Sequence, residues 1–348
     1  MKKNKIYIFL SIFLTLIINF FASNAYANFI SAGDDLTTSN YAIRAFDVSE
    51  QGNHPRDITF NNDGTKMFTV DNGTRKVFEY TLSTPYNIST AVFVNEFSAS
   101  GQDSKPMNVQ FNNDGSKMFI GGRSSKKVHE YSLSTNFDIS SASVTYTGNS
   151  IDVSTQVGNN ALFGLAFSPD GKMMFVAESD FGLHQYSLNK NFDFSSGAIL
   201  IRSAAVSVLN NGNQRNGLAF NQSGTRMFLI DSGANAVNQY TLSEGFNIST
   251  VSFDGGAIVR LPDDSANGDP NGITFSPSGL RMYIAGINNQ ELVEYHLPCP
   301  FNLFAGKCTE ITEGDRRGVA EAQINIANRT IEHSTDAALN RLKWIRRN

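Results

Sequence analysis

Apolar and polar positions alternate along this chain in short runs of four to eight residues, and the same runs return five times. Phe60-Asn61-Asn62-Asp63-Gly64-Thr65-Lys66-Met67-Phe68 recurs from Phe111 as FNNDGSKMF, from Phe167 as FSPDGKMMF, from Phe220 as FNQSGTRMF and from Phe275 as FSPSGLRMY. A second marker travels at a fixed offset: VFEYTL ending at Leu82, VHEYSL at Leu133, LHQYSL at Leu188, VNQYTL at Leu242 and VEYHL at Leu297. The unit starts lie 51, 56, 53 and 55 residues apart. Two markers moving together define a tandem repeat, which fixes the fold before any single residue does.

Within a unit the runs read as four short strands, rich in β-branched and aromatic residues and separated by turn signals. In the first unit they are Asp57 to Phe60, Lys66 to Val70, Val77 to Leu82 and, after the loop STPYNIST, Ala91 to Phe97. A lone four-stranded meander leaves one face bare, whereas meanders stacked around an axis cover both. The expected fold is therefore all-β: a five-bladed β-propeller of antiparallel four-stranded blades, followed by a C-terminal α-helix. The segment Tyr41 to Pro55 resembles the last strand and exit loop of a unit, and the fifth unit lacks such a strand. The N-terminal strand is thus expected to complete the last blade and close the ring, removing an open edge.

The ends carry different patterns. Residues 1–27 have three early lysines, an apolar run from Ile6 to Phe21 and then Ala25-Tyr26-Ala27, the arrangement of a secretory signal peptide. Expected boundaries are 1–27 signal peptide, 28–40 lead, 41–298 propeller, 299–308 disulfide loop and 309–348 helical tail. The whole chain carries 28 basic and 32 acidic residues. Loss of Lys2, Lys3 and Lys5 leaves 25 against 32, a net charge of -7 that disfavours nucleic acid as a partner. The two cysteines, Cys299 and Cys308, are expected to pair in an oxidising compartment: periplasm, cell surface or medium. Gly318 to Ile345 reads as a helix with Ile324, Ala327, Ile331, Ala338 and Ile345 on one stripe, interrupted by Ser334 and Arg341. It is suited to cap the propeller, to act as a solvated linker or to dock a partner or membrane-anchored module.

The stretches Ser168 to Lys172, SPDGK, and Met67 to Tyr80, MFTVDNGTRKVFEY, resemble the repeats of secreted bacterial propellers of the PD40/TolB-like and YVTN groups, over about Tyr41 to Leu297. The tail resembles the helical linker that joins propeller passengers of some autotransporters to an outer-membrane barrel, whose ten-residue alternating strands do not appear here. The resemblance implies the fold and leaves function open, since propellers serve as enzymes, lectins and scaffolds.

Candidate chemistry is sparse. Asp63, Asp114 and Asp170 precede glycines in the first hairpin, but Ser223 and Ser278 replace them in later units, so they read as turn residues and not as metal ligands. No EF-hand spacing, HExxH, phosphate loop or Ser-His-Asp order is present. His129 and His184 occupy one repeated position and read as packing residues.

Function is instead expected at one mouth of the ring, where the units disagree. Arg56, Met107, Phe163, Asn216 and Asn271 share one position there, and Asp71, Gly122, Glu178, Asp231 and Gly286 share another. Arg56, Asp71, Asn108, Arg123, Glu178, Asn216, Asp231 and Asn271 are the candidate ligand contacts. The acidic members either ring a solvent-facing mouth, attracting a cation or a sugar, or cap turns. The expected function is non-enzymatic binding of an extracellular glycan or protein. The alternatives are a lactonase- or glycosidase-like enzyme and a spacer acting through the tail. No cofactor is expected; calcium is the one metal that the acidic mouth would suit.

Overall fold

The computed structural model describes residues 42–179, 182–206, 215–259, 269–286, 290–297 and 299–304. The signal peptide, Cys308 and the helical tail of the sequence reading lie outside these residues. Strand β1 (Ala42–Asp47) comes first. The first blade is β2 (Pro55–Phe60), β3 (Lys66–Asp71), β4 (Lys76–Leu82) and β5 (Ala91–Ser98). The second is β6 (Pro106–Phe111), β7 (Lys117–Gly122), β8 (Lys127–Leu133) and β9 (Val144–Asp152). The third is β10 (Leu162–Phe167), β11 (Met173–Glu178), β12 (Gly182–Lys190) and β13 (Asp193–Ala205). The fourth is β14 (Arg215–Phe220), β15 (Arg226–Asp231), β16 (Ala236–Leu242) and β17 (Val251–Ile258). The fifth is β18 (Pro270–Phe275), β19 (Arg281–Gly286) and β20 (Glu291–His296), with β1 as its outer strand.

Each sheet is an antiparallel meander, and the innermost strands β2, β6, β10, β14 and β18 touch their neighbours in a closed ring. The N-terminal strand closes that ring, as expected: Ala45 pairs with Val293 and Asp47 with Glu291. Thus the chain's first described strand staples its last blade.

The repeated Met-Phe pair explains how the blades adhere. Successive side chains of a strand point to opposite faces, and both faces of β3 are covered. Met67 packs with Tyr283 and Leu292 of the fifth blade, whereas Phe68 packs with Val109 and Met118 of the second. Both are fully buried, each contributing about 1.5–3 kcal/mol. The other three junctions are built alike, from Phe119 against Leu165, Phe175 against Leu218 and Phe228 against Ile273.

The NNDG stretch is a turn. Asp63 Oδ1 accepts from Thr65 N at 2.9 Å, Asp114 Oδ1 from Ser116 N at 2.9 Å, and Asp170 Oδ1 from Lys172 N at 3.1 Å. In the fifth unit Ser278 Oγ does the same for Leu280 N at 3.3 Å, so the exchange of Asp for Ser keeps the function of the position. Gly64 has φ +70°, a left-handed conformation that costs glycine nothing. It also lets the Tyr86 ring lie where a Cβ would sit, 2.3 Å from the nearest ring carbon.

That aromatic contact recurs at Phe137, Phe192, Phe246 and Phe301 over Gly115, Gly171, Gly224 and Gly279. Phe301 N donates to Gly279 O at 2.8 Å just as Tyr86 N donates to Gly64 O at 2.9 Å. PFNL, Pro300 to Leu303, is therefore the fifth copy of PYNI, Pro85 to Ile88. The propeller frame runs to at least Leu303, past the boundary expected at 298.

Candidate functional site

Antiparallel pairing places the start of each innermost strand beside the end of the second: Pro55 opposite Asp71, Pro106 opposite Gly122, Leu162 opposite Glu178, Arg215 opposite Asp231, Pro270 opposite Gly286. All ten chain segments meet at one mouth. In every blade the register slips at this point. Pro55 and Asp57 pair with adjacent residues of β3, leaving Arg56 as the extra residue of a bulge. Met107 and Phe163 are the extra residues of the second and third blades. In the fourth and fifth the slip falls within Asn216–Gly217 and Asn271–Gly272. Bulges re-aim side chains and favour the rims of closed sheets. The position at which the units disagree is thus the one that the ladder releases.

The acidic candidates are not displayed at the mouth. Asp71 and Asp231 are fully buried and Glu178 nearly so. Asp71 Oδ2 accepts from His54 N at 2.5 Å, and its Oδ1 from Thr74 N at 2.6 Å and Thr74 Oγ1 at 2.8 Å. It ties the entry loop of the blade to the turn after β3. Asp231 Oδ1 accepts from Ala234 N at 3.1 Å, and Glu178 Oε2 from Asn160 Nδ2 at 2.8 Å. Of the two roles open to these residues, they fill that of turn latches, and the solvent-facing acidic ring is not formed.

In the second blade the latch comes from the other side. Gly122 has no carboxylate, but buried Asp103 of the entry loop accepts from Lys105 N at 2.5 Å and Ser125 N at 2.6 Å. Lys105 and Ser125 are the repeat equivalents of His54 and Thr74, a register fixed by Tyr80 Oη donating to Gln51 Oε1 at 3.4 Å and Tyr131 Oη to Gln102 Oε1 at 3.1 Å. Opposite each carboxylate stands a glycine. A Cβ on Gly52 would lie 2.5 Å from Asp71 Cγ, and one on Gly122 would lie 2.1 Å from Asp103 Oδ2.

What the mouth does carry is cationic, amide and apolar. Arg56 Nη1 donates to Asn271 Oδ1 at 2.7 Å, while its Nε is buried without a partner. Burial holds the guanidinium below its ordinary value; Asp269 acts against this, and Arg123 adds to it by repulsion. Arg123 is exposed and lies 5.3 Å above the ring of buried Phe163, which packs with Met107 and Ala161. Asn108 is buried; its Nδ2 donates to Phe163 O at 2.8 Å and its Oδ1 has no partner. Asn271 is buried and its Nδ2 donates to Asp269 O at 2.6 Å. Burial pushes the Asp269 carboxyl up, with Arg56 opposing. Asn216 lies in β14, and its side chain is outside the described residues. Among the described residues no group of three or more His, Cys, Asp or Glu is placed to hold a metal ion.

One step inward, Asp57 was not anticipated. It is buried beside the axis, where Oδ1 accepts from Ile58 N at 2.9 Å and Oδ2 from Val109 N of the next blade at 3.1 Å. Gly272 makes room, since a Cβ there would lie 2.7 Å from Asp57 Oδ1. Burial pushes this carboxyl up to about 7, against hydrogen bonds from Val109, Ile58, Asn108 and Gln110 that lower it. Because the folded value exceeds the ordinary 3.8, the contribution of Asp57 to stability is complete below that value and lost as pH rises through 7. Asp57→Asn is accordingly expected to raise the melting temperature relative to the parent at pH 8, with the gap narrowing towards pH 5. A gap independent of pH would refute that account.

His129 and His184, read as packing residues, are buried, with their values lowered by desolvation. Each meets a serine: His129 Nε2 lies 3.0 Å from Ser125 Oγ, and His184 Nδ1 lies 2.9 Å from Ser203 Oγ. Cys299 is buried in the segment that follows β20.

Neither a protein-family profile nor a curated protein sequence matches the chain. Solved structures similar to it include the β-propeller domain of Cps50 (Swd1) from Myceliophteria thermophila, at 8% identity and TM-score 0.42, covering 74% of this chain and 99% of that one. Another is the periplasmic gluconolactonase PpgL of Pseudomonas aeruginosa, at 12% identity and TM-score 0.42, covering 67% of this chain and 65% of that one. A third is hydrazine synthase of Kuenenia stuttgartiensis, at 13% identity and TM-score 0.40, covering 70% of this chain and 96% of that one. At these identities the likeness is one of fold alone.

Proposed function

We propose that this protein is an exported, non-enzymatic propeller that binds an extracellular ligand at the mouth where its innermost strands begin. The observation that carries the reading is the ring of bulges, which releases Arg56, Met107, Phe163 and the Asn216–Gly217 and Asn271–Gly272 steps from the ladder while the frame around them repeats. Four residue types, Arg, Met, Phe and Asn, at one structurally repeated position suit a recognition surface more than a packing surface. Binding is favoured over acid-base catalysis because Asp71, Glu178 and Asp231 are engaged as latches. Export and a Cys299–Cys308 disulfide belong to the same proposal, resting on the N-terminal sequence pattern and the two cysteines. In this reading the PD40/TolB-like and YVTN-type repeats form the frame, and the tail joins the propeller to a surface module.

A melting-temperature screen of the mature chain against sugars, sugar acids, phosphates and calcium tests the proposal, since a ligand of the native state alone raises the midpoint by mass action. The expected result is a saturable rise that Phe163→Ala removes. A response to calcium alone would instead favour the metal-dependent enzyme.

A further inference from the structure

The mouth holds two guanidinium groups near enough to repel each other, those of Arg56 and Arg123. Neither has a carboxylate within ion-pair distance among the described residues, whereas Arg44, Lys66, Lys117, Arg226 and Arg281 each have one. Arg56 in particular is desolvated, with one hydrogen bond to a neutral amide and a buried Nε left over. Asp269 acts on it through space more strongly than Asp71, yet the Asp269 carboxyl is itself pushed up by burial and gives only partial compensation.

A buried charge is normally paired, because desolvating it alone is costly. Arg56 is half-buried with its Nε fully enclosed, and a protein that keeps such a charge at a rim without an acidic partner, near a second cation, has left a place for the missing counter-ion. Guanidinium offers a planar fork of donors that matches the oxygens of a carboxylate or a phosphate. Phe163 with Met107 supplies an apolar wall beneath Arg123.

Resting on the mouth-binding reading above, we infer that the ligand presents an oxyanion, carboxylate or phosphate, to Arg56 and Arg123. This replaces the cation or neutral sugar that an acidic mouth would have favoured.

The test is calorimetric titration and melting of the mature protein at low ionic strength with D-glucuronate, inorganic phosphate and methyl β-D-glucoside as probes. Glucuronate, phosphate or both are expected to bind saturably and raise the melting temperature, with the glucoside inert, and the two anion arms identify which oxyanion is preferred. Arg56→Gln and Arg123→Gln should each weaken anion binding at least ten-fold, about 1.4 kcal/mol. Arg56→Met, which removes a desolvated charge, should melt at or above the parent temperature without anion and fail to respond to it. Three outcomes would overturn the inference: equal binding of the glucoside, anion binding that survives both arginine variants, or no response to either anion. If the glucoside binds and Phe163→Ala abolishes it, the mouth reading stands while the oxyanion falls. If no probe or screened compound responds to Phe163→Ala, both fall.

Discussion

Glu79→Ala is expected to lower the unfolding free energy by about 2–3 kcal/mol, since it removes the charged acceptor of half-buried Lys66 and of a buried N–H in the next blade. Glu79 is buried in β4, where Oε1 accepts from Lys66 Nζ at 2.6 Å. Its Oε2 accepts from Ile139 N, in the β8–β9 loop of the next blade, at 3.1 Å, and Lys66 Nζ also donates to Phe137 O at 2.7 Å. The pair therefore clamps two blades together. The same clamp recurs around the ring: Phe194 N donates to Glu130 at 2.7 Å, Ile248 N to Gln185 at 3.3 Å and Leu303 N to Gln239 at 2.8 Å. At the closing seam Arg281 Nη1 reaches Glu294 Oε1 at 3.5 Å and Tyr86 O of the first blade at 3.0 Å.

The third blade shows how the clamp works without charge. Met173 stands where Lys66 stands, Gln185 replaces Glu79, and Gln185 Nε2 donates to Met173 Sδ at 3.1 Å. Lys66→Met combined with Glu79→Gln should consequently return to within about 1 kcal/mol of the parent, since replacing both members of a buried pair is often neutral. Denaturant unfolding of the two single variants and the double variant closes the cycle. If the double variant is as unstable as the sum of the singles, the clamp is not a transferable unit.

Local patterns were legible in the sequence where one unit could be compared with the next. The turn role of Asp63 followed from its replacement by Ser223 and Ser278, and hydrogen bonds confirm it for Asp63 and for Ser278. Closure by the N-terminal strand followed from the missing outer strand of the fifth unit. The use of Asp71 did not follow, because the N–H groups it satisfies belong to His54 and Thr74, which only the tertiary fold brings to one carboxylate. Nor did Asp57, whose burial depends on a glycine more than two hundred residues away. The PYNI–PFNL correspondence was visible in principle. It is obscured because Pro298 and Cys299 stand where the first copy has Ser83 and Thr84, so the lead-in to Phe301 departs from that of the first copy.

The exchange of latch and glycine between the first two blades makes a second strong expectation. Asp103→Gly deprives Lys105 N and Ser125 N of a charged acceptor in a buried place, which should cost about 2–4 kcal/mol. Gly122→Asp alone forces a second carboxylate onto the first, with its Cβ 2.1 Å from Asp103 Oδ2, and should cost about 1–3 kcal/mol through overpacking, with charge repulsion added. Together the two changes rebuild the arrangement of the first blade, where Gly52 faces Asp71 and the carboxylate reaches the equivalent N–H groups from the strand end. The double variant is therefore expected to lose less than about 1 kcal/mol, far less than the sum of the singles. Additive losses would show that the two blades need their latches for different reasons. Recovery would show that one carboxylate per mouth segment is a requirement of the frame. The rim arginines, which satisfy no such requirement, would then be the residues at this mouth set apart for a ligand.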